Sequence, residues 1–323
     1  MLSPTIAEQD ALLHRLGAPG LIPYDSDNRR NVGYLLSWMG DADLVISVDD
    51  DNFPVGPEFF TEHLVVTAGP RRYLTIDTAS GWWNPCDQLD IAPLAVYPRG
   101  FPYQHRRVCE VVEQVATVDV RVNAGLWLGD PDVDAITRMA IGPTSRALRR
   151  KEAVLGSRTW APINSQNTAL HRDTLPAYYF PRMGYYYRGQ KVDRYADIFS
   201  GYFVQACARH LGHGIRFGSP LADHKRNVHY LIDDLRQEMS AIAILDDLLD
   251  WLKGCDLNGS TYAEAYRSLS YQMQDAVEHM SGPHWDHEIR GFMHQISHLM
   301  RQWLDVLERA RGAAHSGPLR TRG

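Results

Sequence analysis

The apolar run Leu44-Val45-Ile46-Ser47-Val48 leads directly into Asp49-Asp50-Asp51. A run of that length reads as a buried strand. Three carboxylates at its end repel one another unless something positive sits among them. Side chains alternate along an extended chain, so Asp49 and Asp51 are expected on one side of it. Hard oxygen ligands at that spacing suit Mg2+ or Mn2+, and such a metal suits a diphosphate. The alternative is an acidic loop that merely closes a strand.

Three further groups could carry chemistry. Arg99-Gly100-Phe101-Pro102-Tyr103-Gln104-His105-Arg106-Arg107 sets guanidiniums beside a glycine in a loop, where they can clamp phosphate oxygens bidentately; the plain alternative is a solvated basic loop. Asp193-Arg194-Tyr195-Ala196-Asp197 stands at an expected helix start. An acid there complements the helix dipole or, as chemistry, poises a carboxylate over a sugar acceptor or an anomeric carbon. Asp223-His224-Lys225-Arg226-Asn227 follows a short strand. His224 could complete a metal site and Lys225 reach phosphate, against the ordinary reading of a surface or core histidine.

Two patterns read as decoys. Asp246-Asp247-Leu248-Leu249-Asp250 has the DDxxD spelling that binds Mg2+ and diphosphate in isoprenoid synthases. Those enzymes are helical throughout and the first half of this chain is not, so a solvated helix face is expected. His294 and His298 stand at i and i+4 with His287 upstream, but without the Glu of an HExxH motif a hydrated histidine-rich face is expected.

These groups need elements to position them. Residues 29–39 have helical spacing, and the strand Leu44–Val48 follows. Residues 62–67, 73–77, 124–128 and 215–217 read as strands, and residues 195–211 as a helix stopped by Gly212. Pro and Gly punctuate residues 69–102, as loops over a site would. After about residue 227 the texture changes to three long helical stretches, 231–252, 262–280 and 285–307. The expected organisation is a nucleotide-sugar-binding domain over 1–228, a helical region over 229–311 and a disordered tail over 312–323.

Composition fits this reading. Charged residues are 22% and apolar residues 44% of the 323, ordinary values for a globular protein. The net charge of -6 gives no general pull toward nucleic acid or anionic membrane. Cys86, Cys109, Cys207 and Cys255 form no CxxC pair, so neither structural zinc nor a disulfide framework is expected. With no signal-peptide pattern and no run of transmembrane length, a cytoplasmic protein without a membrane span is expected.

Taken in order, these motifs resemble the reversibly glycosylated polypeptides, a family that includes the plant UDP-arabinopyranose mutases, in the manner of a bacterial relative. The resemblance rests on Val48-Asp49-Asp50-Asp51; on Arg99-Gly100-Phe101-Pro102 with Arg106 seven residues after Arg99; on Gly125-Leu126-Trp127-Leu128 through Asp134; on Asp193-Arg194-Tyr195-Ala196-Asp197; on His210-Leu211-Gly212; and on His224-Lys225. It implies an α/β, GT-A-like nucleotide-diphospho-sugar transferase fold, a mixed, mostly parallel sheet between helices, here N-terminally shortened and followed by a helical C-terminal region. It implies that Asp49 and Asp51, with His224 as a further ligand, hold Mn2+ or Mg2+ against the diphosphate, with Asp50 and Lys225 also at the nucleotide. The arginine matched by Arg99 is associated in the family with reversible self-glycosylation, and the one matched by Arg106 is also needed.

Two departures follow from the same resemblance. The family's first strand and loop, which grip the uracil and ribose, have no counterpart in the residues before the match. Ala196 stands where the family has the first of two paired acids. The resulting expectation is a metal-dependent glycosyltransferase with a nucleotide-sugar donor, UDP-linked, and a small-molecule or glycan acceptor. Asp197, Arg99 and Arg106 would be its catalytic residues. A UDP-pentose mutase with self-glycosylation at Arg99 is the alternative enzyme. A non-catalytic partner subunit, in a homo- or hetero-oligomer, is the alternative of another class.

Overall fold

The computed structural model describes residues 4–314. Helix α1 (Ile6–Arg15) opens with a capping box between Thr5 and Glu8. A single 3-10 turn, Asp27–Arg29, runs into α2 (Arg30–Met39). Strands β1 (Leu44–Val48) and β2 (Asn52–Val55) follow, flanking the aspartate triplet. Next come α3 (Phe59–His63) with the 3-10 turn Leu64–Thr67, then β3 (Arg71–Thr78), β4 (Leu89–Ala92), β5 (Val111–Val118) and β6 (Val120–Gly129). The chain continues through α4 (Ala135–Ile141), β7 (Thr144–Leu148), β8 (Glu152–Leu155), β9 (Asn167–His171) and the small hairpin β10 (Tyr185–Tyr187) and β11 (Gln190–Val192). It closes with α5 (Ala196–His210), β12 (Gly214–His224), α6 (Leu231–Gly254), α7 (Tyr262–His279) and α8 (His287–Ala314).

The main sheet runs β1-β9-β6-β12-β8-β3-β5, with β2 added on β12, and β4 and β7 beside β6. It is mixed, as the resemblance implies. Parallel pairing is confined to two interior ladders, β6 with β12 and β3 with β8, and the other ladders are antiparallel. A parallel pair needs a long crossover; β6 and β12 have one, the long passage that contains α5, whereas most neighbours here simply return against each other.

Two expected elements differ. Residues 62–67 are helical rather than a strand. Phe59, His63 and Val66 are all buried, at i, i+4 and i+7, and that helical period outweighs the β-branched local composition. The short strand at 215–217 extends to His224, with a register shift near Gly218 and Pro220 that masks its continuity in the sequence.

Helix α5 is buried from Ala196 to Ala208 and forms the spine between the sheet and the helical region. One continuous apolar core includes Leu35 of α2, Phe199 and Phe203 of α5, Leu248 of α6, Tyr266 of α7 and Trp303 of α8. Helix α8 reaches Ala314; the rest of the expected tail, 315–323, lies outside the described residues. Among the described residues no helix is long and apolar enough to cross a membrane.

Candidate functional site

A polar cavity of about 490 Å3 opens where the end of β1, the end of β12, the start of α5 and the loops around residues 99, 132, 165 and 182 converge. Its walls carry charges of both signs.

Arg99 is buried in one wall. Gly100 places it there: its φ of +82° makes a turn that a side chain resists, and a Cβ would stand 2.5 Å from Ile198 Cγ2 of α5. Tyr202 of α5 donates to the Gly100 carbonyl at 2.8 Å. The Arg-Gly-Phe-Pro segment is therefore a loop docked on α5. Arg99 Nε and Nη2 donate to Asp132 at 3.0 and 3.2 Å, and Nη1 and Nη2 donate to Asp197 at 3.0 and 2.7 Å. The remaining Nη1 hydrogen goes to the Arg194 carbonyl. All five N–H groups of a guanidinium are thus engaged. Burial opposes its charge, yet Asp132 and Asp197 hold Arg99 well above its ordinary pKa. Burial likewise penalises Asp132, but Arg99 and the Asn164 amide (2.8 Å) outweigh it and keep that carboxyl below its ordinary value.

The aspartate triplet lies just past β1, in a tight turn closed by the Asn52 N–H donating to the Asp49 carbonyl at 3.1 Å. Asp49 and Asp51 line the cavity, while Asp50 does not and instead lines a neighbouring groove between β1 and α2. Asp49 is held by Arg30 of α2, Nη2 to Oδ1 at 2.6 Å. Burial pushes the Asp49 carboxyl upward against the pull of Arg30. Asp51 faces His224, Oδ2 to Nε2 at 3.3 Å.

The donor set at this corner fits a divalent cation. His224 donates from Nδ1 to the Asp130 carbonyl, so a neutral ring turns the bare Nε2 toward the Asp51 carboxylate. A lone pair facing a carboxylate is repulsive unless a proton or a cation lies between them. Gln166, whose Oε1 is buried without a hydrogen-bond partner, lines the same cavity. Carboxylate and amide oxygens with one imidazole suit Mn2+ better than Mg2+. Among the described residues no three Asp, Glu, His or Cys side chains stand gathered as a ready-made cage; Asp49 would join only by releasing Arg30.

The opposite wall depends on α6. Asp234 and Glu238 are buried there. Asp234 takes Arg194 Nη1 at 3.2 Å, Arg226 Nη2 at 3.2 Å and His229 Nδ1 at 3.3 Å, and Glu238 takes Arg194 Nε at 3.1 Å. Arg194, Arg226 and His229 all line the cavity. Arg194 holds a left-handed backbone, φ +62°, which a non-glycine residue adopts at a cost.

Asp27 is a further cavity carboxyl. It keeps a solvent-exposed face, and desolvation by the groups around it, followed by the charges of Asp197 and Asp193, raises it to about 6.

The cavity therefore gathers Asp49, Asp51, Arg99, Asp197 and His224 from the sequence-derived set, and leaves out Asp50, Arg106 and Lys225. Arg106 turns away to Asp134, the N-cap of α4, at 2.5 Å, and lies over the Tyr103 ring. Lys225 is exposed, 3.8 Å from Asp223, because it has the opposite parity from His224 at the strand end; Arg226 takes the inward place instead. The reading missed Arg30, Asp27, Asp132, Arg182 and the α6 acids. Asp234 and Glu238 had a signal: with Ala241, Leu245, Leu248 and Leu252 they share the buried stripe of α6, and carboxylates in an apolar stripe need partners. The DDxxD acids do not reach the cavity. Asp247 accepts Trp285 Nε1 at 2.7 Å and Asp246 accepts the Gln104 N–H at 3.3 Å.

Comparison with known proteins adds a family to this geometry. The family model described as "Reversibly glycosylated polypeptide" matches residues 10–310. UDP-arabinopyranose mutase 2 of Arabidopsis thaliana is 27% identical over 228 residues, covering 69% of this chain and 57% of that protein. Probable UDP-arabinopyranose mutase 4 of the same plant is 25% identical over 297 residues, covering 89% and 72%. UDP-arabinopyranose mutase 1 of Oryza sativa subsp. japonica is 30% identical over 263 residues, covering 77% and 64%. The chain thus spans less than two thirds of the length of several relatives it matches.

Proposed function

The chain belongs to the reversibly glycosylated polypeptide family, and on that premise we propose that it is an enzyme acting on a UDP-linked pentose, interconverting pyranose and furanose forms of the sugar by intramolecular transfer. One observation carries the reading. In a chain aligned with named UDP-arabinopyranose mutases, the Asp49–Asp51–His224 corner and the Arg99–Asp197 pair face one cavity.

Ring interconversion breaks the bond between the sugar C1 and the diphosphate, leaving positive charge on the sugar and negative charge on the phosphates. The cavity supplies both complements. Asp132 and Asp197, oriented by Arg99, face the sugar end. Arg194 and Arg226, oriented by Asp234 and Glu238, face the phosphates, and such preorganised charge acts without reorganisation in the reaction. Asp51 and His224, with Gln166 beside them, would hold the metal; when bound it would stabilise the departing diphosphate as a Lewis acid. With the diphosphate detached, the C4 hydroxyl would close on C1 and give its proton to Asp27, the C1–O5 bond would then open with O5 taking that proton back, and the diphosphate would rejoin C1, so the six-membered ring becomes a five-membered one with no outside acceptor.

Arg99 enters this reading as a brace rather than as the sugar acceptor. A saturated, firmly protonated guanidinium has no free N–H and no lone pair to attack C1. The Ala196 departure does not remove a cavity acid, because that position is fully buried and Asp197 holds the place that faces the site.

The test is to incubate the protein with UDP-arabinopyranose and Mn2+ and follow the sugar by NMR. The reading expects the furanose form to accumulate to a fixed ratio without any acceptor. Consumption only when an acceptor is added would favour a glycosyltransferase, and no consumption at all would favour a non-catalytic subunit.

A further inference from the structure

A second cavity, of about 350 Å3, adjoins the first and shares Pro23, Tyr24 and Arg182 with it. It is closed on its far side by Asp10, Leu13 and His14 of α1. Neither the family motifs nor the reaction above uses it.

Tyr24 forms the partition. It is 52% exposed, yet it is not loose. Its hydroxyl donates to Asp10 Oδ2, and the Arg29 guanidinium lies over its ring at 5.1 Å. Arg29 is itself tied to the Ile22 carbonyl at 3.2 Å and to Gln9. An aromatic ring braced at its hydroxyl and backed on one face, with half its surface open beside a cavity, is a preformed stacking platform.

Arg182 stands at the same junction. The other cationic side chains of the main cavity are committed: Arg30 to Asp49, Arg99 to Asp132 and Asp197, Lys191 to Asp193, Arg194 and Arg226 to Asp234. Arg182 is exposed and has no hydrogen bond or ion pair among the described residues. An uncommitted guanidinium between two cavities calls for an anion that spans them.

We propose that the cavity between α1 and residues 19–24 is the nucleobase subsite of the donor, with Tyr24 as the stacking platform and Arg182 meeting the diphosphate where the two cavities join. The proposal rests on the nucleotide-sugar reading above. A nucleoside diphosphate then lies with its sugar at Asp197, its phosphates across the junction and its base against Tyr24, near the polar edge offered by Asp10 and His14.

Calorimetric titration with UDP and with inorganic pyrophosphate, both with Mn2+, tests it on the whole protein and on Tyr24→Ala, Tyr24→Phe and Arg182→Gln. Loss of a base stack predicts that Tyr24→Ala weakens UDP binding at least about fivefold, while pyrophosphate affinity, which reports an intact fold and cavity, stays unchanged. Tyr24→Phe, which keeps the ring and loses only its brace to Asp10, weakens UDP binding less than Tyr24→Ala does, and Arg182→Gln weakens both ligands. If Tyr24→Ala binds UDP as tightly as the wild type, or if the wild type binds UDP no better than pyrophosphate, the base subsite is wrong while the functional reading stands or falls on the sugar assay. If the wild type binds neither ligand, the functional reading fails and takes the subsite with it.

Discussion

The two sides of the cavity are built on different principles. On the sheet side, Asp49, Asp51, Asp132 and His224 stand at or just beyond strand ends and open onto the cavity themselves. On the helical side, α6 sends Asp234 and Glu238 to a position behind the cavity lining, where they hold Arg194, Arg226 and His229. The sheet side is placed to touch the ligand, and the helical side fixes the groups that touch it. The contrast also explains why α6 to α8 share one core with the sheet: a helix that aims arginines into a site must be rigidly attached to it.

The sharpest way to break this comparison is at Asp234. Asp234→Ala leaves Arg194, Arg226 and His229 without their shared carboxylate, so a loss of about 3 kcal/mol in urea unfolding is expected, with UDP affinity falling as well. Full stability with weaker UDP binding would show that α6 orients the arginines without supporting the fold.

A buried polar network under the sheet gives the next effect. His63 is fully buried; its Nε2 contacts Asn167 Oδ1 at 2.9 Å and its Nδ1 contacts Asn123 Nδ2 at 3.0 Å. Burial pushes its pKa down to about 4. The fold thus keeps the neutral ring, while the unfolded chain binds a proton first as pH falls. The stability from this group is full above about pH 6.5 and is lost progressively as pH drops toward 4, by about 3 kcal/mol. Denaturation at pH 7.5 and pH 4.5 should show this step in the wild type and a smaller one in His63→Gln.

Arg106 sharpens the contrast between two arginines of one segment. Arg106→Ala removes a half-buried ion pair to the fully buried Asp134 and is expected to cost about 2 kcal/mol of stability, with UDP affinity unchanged. Lys225→Ala should be the smallest change, within about 0.5 kcal/mol and without effect on binding, as its head group lies in solvent.

What the sequence revealed followed range. The separation of Asp50 from Asp49 and Asp51 is made by the turn from Asp49 to Asn52 rather than by strand alternation, but the strand that leads into the triplet is a local property and was legible. Helices α2 and α5 to α8 were legible for the same reason. The strand expected at 62–67 was misread because its β-branched residues hid a buried face that includes Phe59, three residues earlier. Nothing local could decide between Arg99 and Arg106: the choice is made by the turn at Gly100 and its docking on Ile198 and Tyr202, about a hundred residues away. Arg30, Asp132 and Arg182 were invisible for a similar reason, since each becomes part of the site only when distant loops converge. Lys225 in place of Arg226 was an error of one residue in strand parity.

The most direct test of the account is a calorimetric titration of UDP into the wild type and Asp51→Asn, each with and without Mn2+. The account predicts Mn2+-dependent binding in the wild type and its loss in the variant, by about 100-fold or more, since even partners of metal ligands cost 10–100-fold. Equal UDP affinity in the two proteins, or wild-type binding indifferent to Mn2+, would contradict the placing of the metal and the diphosphate at the aspartate corner.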